Sequence, residues 1–360
     1  MGLRTLIVDD TVVYRKILSG IIEELPDAEL AGTAPNGKIA LQKISFTKPD
    51  LVLLDVHMPE MNGIDTLKKI KSSYPKIAVV MISGIETQST KSTIEALQSG
   101  AIDFIRKPTG KDQQKNIEEL QHNLRSVIRL VSLKQNSTLK RQNPKDEYKK
   151  ESHVPVRRSP SPVVKIHPGQ FSVCCIGVST GGPEALGKLI PMLPSNFPLP
   201  ILVVQHMPPL FTKSLAESIS RKSNLRVVEA SQKDPIQKGI VYIAPGGKHM
   251  IVRNINDALV IGLNEEPPEN SCRPSVDVLF RSVAANYGNQ GVLALILTGM
   301  GNDGLNGVRS LKRQKCYCIT QSESSCIVYG MPRSVYEAGL SDISLPLDQI
   351  ASEMVKFTMK

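Results

Sequence analysis

The chain has 360 residues, 41% hydrophobic, 22% charged and 4% aromatic, with no Trp and a formal net charge of +10. Such a length exceeds what one hydrophobic core usually serves, since domains cluster near about 100–150 residues, so two domains are expected and a disordered chain is excluded. No apolar run approaches the roughly 18 residues of a membrane span, and Asp9 and Asp10 fall where a signal peptide needs an apolar core, so neither secretion nor membrane insertion is expected and the location expected is cytoplasmic.

In the first third, short apolar runs at Leu3 to Val8, Ala28 to Gly32, Leu51 to Asp55, Ile77 to Ile82 and Ile102 to Ile105 alternate with amphipathic stretches at Val12 to Glu24, Lys38 to Ser45, Thr90 to Gln98 and Gln113 to Leu130. This is the pattern of five βα units, a doubly wound parallel sheet over residues 1–130. Open sheets of this kind bind at the carboxyl ends of their strands. There the sequence places Asp9 and Asp10, Asp55, Ser83, and the run Phe104 to Lys107. Three clustered carboxylates call for a hard divalent cation, Mg²⁺, with Asp55 left to attack phosphorus and Lys107 to neutralise the phosphoryl oxygens.

Those residues stand in Val8-Asp9-Asp10, Leu53-Leu54-Asp55-Val56-His57-Met58-Pro59, Met81-Ile82-Ser83-Gly84 and Gly100-Ala101-Ile102-Asp103-Phe104-Ile105-Arg106-Lys107-Pro108. Together they resemble the response-regulator receiver family. The resemblance implies phosphorylation of Asp55 by a histidine kinase and Mg²⁺ on Asp9, Asp10 and Asp55. It also implies a switch pair, Ser83 and Phe104, with Lys107 on the phosphoryl group.

Residues 131–170 hold nine Lys or Arg against three acids and five Pro, without helical or strand periodicity. This stretch reads as a flexible basic linker. It carries +6 of the net charge, so the basic balance does not by itself mark a nucleic-acid surface.

Beyond it, over residues 171–360, apolar runs at Ser172 to Val178, Ile201 to Gln205, Leu225 to Val228, Ile240 to Ala244, Val292 to Thr298 and Cys316 to Thr320 predict a second α/β domain with a mostly parallel sheet. Helices are expected at Pro183 to Pro191, Thr212 to Arg221, Val276 to Asn286, Leu305 to Lys312 and Asp348 to Lys356, with a hairpin around Gly246 to Ile261. The six cysteines show no Cys-x-x-Cys pair and read as buried reduced thiols.

Gly177-Val178-Ser179-Thr180-Gly181 follows a strand and opens a helix, as a nucleophile elbow does. A serine needs a base and an orienting acid. His206 directly follows the strand at Ile201 to Gln205, and Asp303 lies in the turn after the strand at Val292. The order Ser, His, Asp differs from that of the α/β-hydrolase fold, so that fold is not assigned. His249 is the rival base, read as lying in a loop. The run Gly299-x-Gly301-x-x-Gly304 satisfies a dinucleotide-binding pattern but comes late in its domain, with no acid at the tip of the next strand.

The blocks Ser179-Thr180-Gly181-Gly182, Gln205-His206-Met207-Pro208, Tyr242-Ile243-Ala244-Pro245-Gly246, Pro274-Ser275-Val276-Asp277-Val278-Leu279-Phe280, Thr298 to Gly304 and Gly330-Met331-Pro332-Arg333 resemble the chemotaxis receptor methylesterases. The resemblance implies hydrolysis of glutamyl methyl esters on chemoreceptors and deamidation of receptor glutamines, without a cofactor for the hydrolysis. Ser179 would be the nucleophile, His206 the base and Asp303 the orienting acid, with Thr180 and the Met300 backbone amide stabilising the oxyanion. The chain departs from the usual pattern at Val178, Leu210 and Leu305, none of them catalytic groups. A catalytically dead scaffold docking on receptors, an esterase for another signalling substrate, and a DNA-binding output are the alternatives. No helix-turn-helix pattern follows the linker, so no nucleic-acid partner is expected.

Overall fold

Strand and helix periods in the first third resolve into β1 (Leu3–Val8), α1 (Val12–Glu24), β2 (Ala28–Ala34), α2 (Gly37–Thr47), β3 (Leu51–Asp55), α3 (Gly63–Ser73), β4 (Ala78–Ser83), α4 (Thr87–Gln98), β5 (Asp103–Arg106) and α5 (Gln113–Gln142). The structure is a computed structural model that describes residues 2–84, 87–110, 112–142, 170–288 and 290–359. The sheet order is β2-β1-β3-β4-β5, every pairing parallel. β3 and β4 are buried along their whole length, as strands covered by helices on both faces must be. Asn36 and Asn62 begin α2 and α3 by accepting the amides of Ile39 and Asp65.

Helix α5 continues past the boundary read at 131: Leu130 and Val131 are apolar and buried against the first sheet, and no proline interrupts the chain before Pro144. The rest of the stretch read as linker, residues 143–169, lies outside the described residues.

The second domain runs β6 (Val173–Val178), α6 (Gly182–Leu189), β7 (Ile201–Gln205), α7 (Phe211–Ser220), β8 (Arg226–Glu229), β9 (Ile240–Ile243), β10 (His249–Ile255), β11 (Ala258–Asn264), α8 (Val276–Tyr287), β12 (Val292–Ile296), α9 (Leu305–Leu311), β13 (Cys316–Gln321), α10 (Met331–Glu337), β14 (Ile343–Leu345) and α11 (Leu347–Thr358). Seven parallel strands lie in the order β14-β13-β12-β6-β7-β9-β8, beside the antiparallel β10-β11 hairpin. The chain leaves β6 toward β7 on one side and returns to β12 on the other. The expected crevice of an open α/β sheet is therefore at the carboxyl ends of β6 and its two neighbours.

One apolar cluster crosses between the domains, joining Ile94 and Leu97 of α4 to Ala185, Leu186, Phe211 and Leu215 of α6 and α7. Among the described residues, no helix is long and apolar enough to cross a membrane.

Candidate active site and phosphorylation site

At the carboxyl end of the first sheet, Asp9 and Asp55 are buried and Asp10 is exposed, with one ligand oxygen of each within 4.8 Å of the others. Lys107 Nζ lies 2.8 Å from both Asp9 Oδ2 and Asp55 Oδ2, and 4.6 Å from the centroid of the Tyr14 ring. Burial pushes the Asp55 carboxyl above its ordinary range, against the pull of Lys107. Burial alone would lower Lys107, but the charges and hydrogen bonds of Asp55 and Asp9 outweigh it and hold the ammonium more firmly protonated. Three hard oxygens and no soft donor fit Mg²⁺.

The expected switch residues sit on the neighbouring strands. Ser83 is fully buried and accepts a hydrogen bond from Thr93 Oγ1 at 2.7 Å. Phe104, on β5, leaves its own domain: its ring stacks on Phe211 of α7, centroids 4.5 Å apart and planes at 25°. Next to it, Asp103 Oδ2 accepts the Thr180 hydroxyl at 2.9 Å. Burial raises the Asp103 carboxyl, against the hydrogen bonds from the Phe104 amide and Thr180. Farther along α4, Gln98 Oε1 accepts from Ser218 Oγ at 2.9 Å and from Lys222 Nζ at 2.7 Å.

In the second domain, strands β12, β6 and β7 are adjacent, and each leads into one member of the expected triad. Val178 and Gln205 are register partners, so Ser179 and His206 leave the sheet side by side. The elbow is fixed by its backbone: Ser179 N donates to Thr298 O at 3.0 Å, Gly182 N to Ser179 O at 2.8 Å, and Gln205 Nε2 to Ser179 O at 3.0 Å. Gly181 has φ 79 in a space where a Cβ would meet Ile327 at 2.6 Å. A Cβ on Gly299 would stand 2.8 Å from Ser179 Cβ, so the turn after β12 approaches Ser179 as only glycine permits.

His206 Nε2 lies 2.8 Å from Asp303 Oδ2, which assigns the Nε2 proton to that bond and leaves Nδ1 as the nitrogen that can give up its proton. Asp303 is buried, and its other oxygen accepts Asn270 Nδ2 at 2.8 Å, Ser275 Oγ at 2.9 Å, and the Asp277 and Gly304 amides, each at 3.1 Å. Val276 N donates to Oδ2 at 2.7 Å. Burial would raise Asp303, but the charge and hydrogen bond of His206 and the amides of Val276 and Asp277 bring it down to about 2. Burial likewise opposes protonation of His206, yet Asp303 and the Cys272 thiol together carry it up to about 9.

An imidazole must be neutral to take a proton, so His206 would serve as a base only above about 9. We therefore expect kcat/KM for ester hydrolysis by the unphosphorylated chain to rise about tenfold per pH unit and to level off above about 9, measured as methanol release across a pH series. A limb centred near the ordinary histidine value would show that the pair is not formed in the free enzyme.

Two sequence-based expectations change. His249 is not in a loop: it begins β10, is fully buried, and spends both ring nitrogens on structure, Nε2 on Pro267 O at 3.1 Å and Nδ1 on Ser275 N at 3.2 Å. Neither nitrogen is left to act as a base. Of the six thiols, all free, Cys272 and Cys326 are half-buried rather than buried. The departure at Leu210 has a physical reading: its φ of 72 begins α7 in a region where glycine is unstrained and leucine is not.

Met300 is 46% exposed, and among the described residues its backbone amide meets no acceptor, as an oxyanion donor requires. Between the domains lies a cavity of about 110 Å³ lined by Leu97, Asp103 and Phe104 on one side and Ser179, Thr180 and His206 on the other. Ligand sites run to about 300 Å³ and more, so this space does not admit a polypeptide substrate. Sequence reasoning did not find Asn270, Ser275 or Phe211, whose roles come from contacts distant in sequence.

Comparison with known proteins places two family profiles on the chain: CheB methylesterase over residues 174–354 and response regulator receiver domain over residues 5–118. A protein-glutamate methylesterase/protein-glutamine glutaminase of Desulfotalea psychrophila is 43% identical over 364 residues, spanning 98% of each chain. One from Trichodesmium erythraeum is 41% identical, also spanning 98% of each. The crystal structure of the Thermotoga maritima CheB methylesterase catalytic domain matches with a TM-score of 0.50 and 42% identity, covering 51% of this chain and 97% of that one.

Proposed function

The chain belongs to the CheB methylesterase family, a receiver domain joined to a methylesterase domain, and from that premise we propose that Ser179, His206 and Asp303 carry its hydrolysis under the control of Asp55. Its activity is that of a chemotaxis protein-glutamate methylesterase/protein-glutamine glutaminase.

The observation that carries the residue assignment is the 2.8 Å bond from His206 Nε2 to Asp303 beside an elbow serine. Ser179 Oγ attacks the ester carbonyl carbon while His206 Nδ1 takes its proton, and Asp303 stabilises the imidazolium through Nε2. The oxyanion forms against the Met300 amide and Thr180. Collapse expels methanol, protonated by His206, and leaves a glutamyl ester on Ser179. Water, deprotonated by the same nitrogen, then releases the glutamate carboxylate and restores the serine. A glutamine side chain follows the same course with ammonia leaving.

The substrates are methyl-accepting chemoreceptors, and the phosphodonor is a chemotaxis histidine kinase; the protein works in the cytoplasm, with no nucleic-acid partner. Asp9, Asp10 and Asp55 would hold Mg²⁺, which when bound supplies charge neutralisation for phosphoryl transfer to Asp55. The functional units are those read at 1–130 and 171–360, the first carried on by α5 to Gln142 before the segment that joins them.

Three contacts support control by occlusion. Phe104 on Phe211, Asp103 on Thr180 and Gln98 on α7 hold the first domain over Ser179. Phosphate on Asp55 draws Ser83 and Phe104 toward the phosphoryl group, removes the ring from Phe211 and opens the cleft. Deleting residues 1–170 is expected to raise basal methanol release from methylated receptor membranes about tenfold or more. With the full chain, release should rise on addition of Mg²⁺ and a small phosphodonor. A folded fragment no faster than the unphosphorylated chain would overturn the occlusion, and no release under any condition would overturn the esterase.

A further inference from the structure

The acid of the triad is held by a turn that lies outside every block read from the sequence as functional. Glu269 and Cys272 pair across it, with Glu269 N donating to Cys272 O at 3.1 Å and Cys272 N to Glu269 O at 2.9 Å. The two residues between them, Asn270 at φ 52 and Ser271 at φ 61, are both left-handed, a two-residue turn in which asparagine is tolerated and serine strained. The turn is tied down from outside by Arg281 of α8, whose guanidinium grips Glu269 through two bonds of 2.6 Å. Such strain persists only where the surroundings hold it, and it is often kept for a purpose.

The purpose is visible at the tip. Asn270 Nδ2 donates at once to Asp303 Oδ1 at 2.8 Å and to Asp277 Oδ2 at 3.0 Å. Two buried carboxylates that would repel each other thus share one amide between them. Asp277 is locked in turn by the Gly307 amide at 2.6 Å. Oδ1 of Asp303 is saturated by its four donors, so the oxygen offered to His206 is Oδ2, and the carboxylate plane cannot swing away from the imidazole.

We infer that Asn270 is a positioning residue of the hydrolase, presented by the strained Glu269–Cys272 turn to fix the carboxylate of Asp303 against His206. The inference rests on the triad reading given above. It acts through Asp303 and touches no reacting atom, so its loss should appear in kcat and leave KM nearly unchanged.

The test must separate the amide from the turn. Asn270→Gly keeps the left-handed backbone at no steric cost and removes only the side chain, whereas Asn270→Asp keeps the shape and replaces the donor by a third carboxylate. In the full chain activated with Mg²⁺ and a small phosphodonor, kcat for methanol release by N270G should fall about tenfold, with KM within about twofold of wild type and a thermal melt that shows the variant folded at the assay temperature. N270D should fall further, since its charge faces Asp303 and Asp277. A kcat for N270G within twofold of wild type, or a loss confined to KM, would overturn the inference. Ser179→Ala measured alongside keeps the two readings apart: if S179A is inactive while N270G is normal, only the positioning role fails, and if S179A is active, the triad itself fails.

Discussion

Replacing Ser179 by alanine is expected to reduce methanol release from methylated receptors by on the order of 10⁴-fold or more while leaving the fold intact. The fold survives because what anchors the elbow is backbone: the Ser179 amide and carbonyl are bonded to Thr298, Gly182 and Gln205, and none of those bonds uses Oγ. The rate does not survive, because His206 and the oxyanion donors are left with only water to activate, without a nucleophile held at the carbonyl. The measurement is methanol release with and without phosphodonor, beside a thermal melt. A variant within tenfold of wild type would remove Ser179 from the chemistry. A variant that is inactive but also unfolded would instead refute the claim that Oγ bears no structural load.

The second large effect is expected for Asp303→Asn, about 10⁴-fold in kcat, and its cause is a tautomer. An asparagine must put its NH₂ in the place of one carboxylate oxygen. At Oδ1 the NH₂ would face four donors, at Oδ2 only the Val276 amide and the imidazole. It therefore takes the Oδ2 place and donates to Nε2, which forces the ring proton onto Nδ1, the nitrogen that must accept from Ser179. The pH profile reports the same event. Asp303 and Cys272 together carry His206 up to about 9 against burial, so without the carboxylate the acid limb of the residual activity should move down from about 9. An unshifted limb would mean that the pair does not govern the base.

The sequence made the two α/β domains and the strand-end residues legible because parallel sheets concentrate chemistry at one edge, and a motif that follows an apolar run is therefore already placed. Ser179, His206 and Asp303 needed only that rule. His249 was misplaced because Ala244-Pro245-Gly246-Gly247 reads as a long loop, whereas the chain re-enters a strand at once and buries the ring. The end of α5 was set too early because proline and charge density farther on masked Val131, which packs inward directly after Leu130. Strand β14 has three residues, all half-buried, too few to show a period. Asn270 carried no local signal at all: its partner Asp303 lies 33 residues away, and the bond exists only once the turn and the β12–α9 loop are brought together.

Asp103 and Phe104 also limit how freely the two halves of this protein can be exchanged for others. Both stand on β5 of the receiver, where Phe104 is the proposed switch partner of Ser83, yet the ring of one is shaped to Phe211 and the carboxylate of the other to the hydroxyl of Thr180. A receiver borrowed from an unrelated regulator would bring its phosphorylation chemistry intact and still meet the esterase with the wrong ring or no acceptor. The modules are separable as folds but not as a regulated unit, and substitutions at 103 and 104 are answerable to residues at 180 and 211 in the other domain.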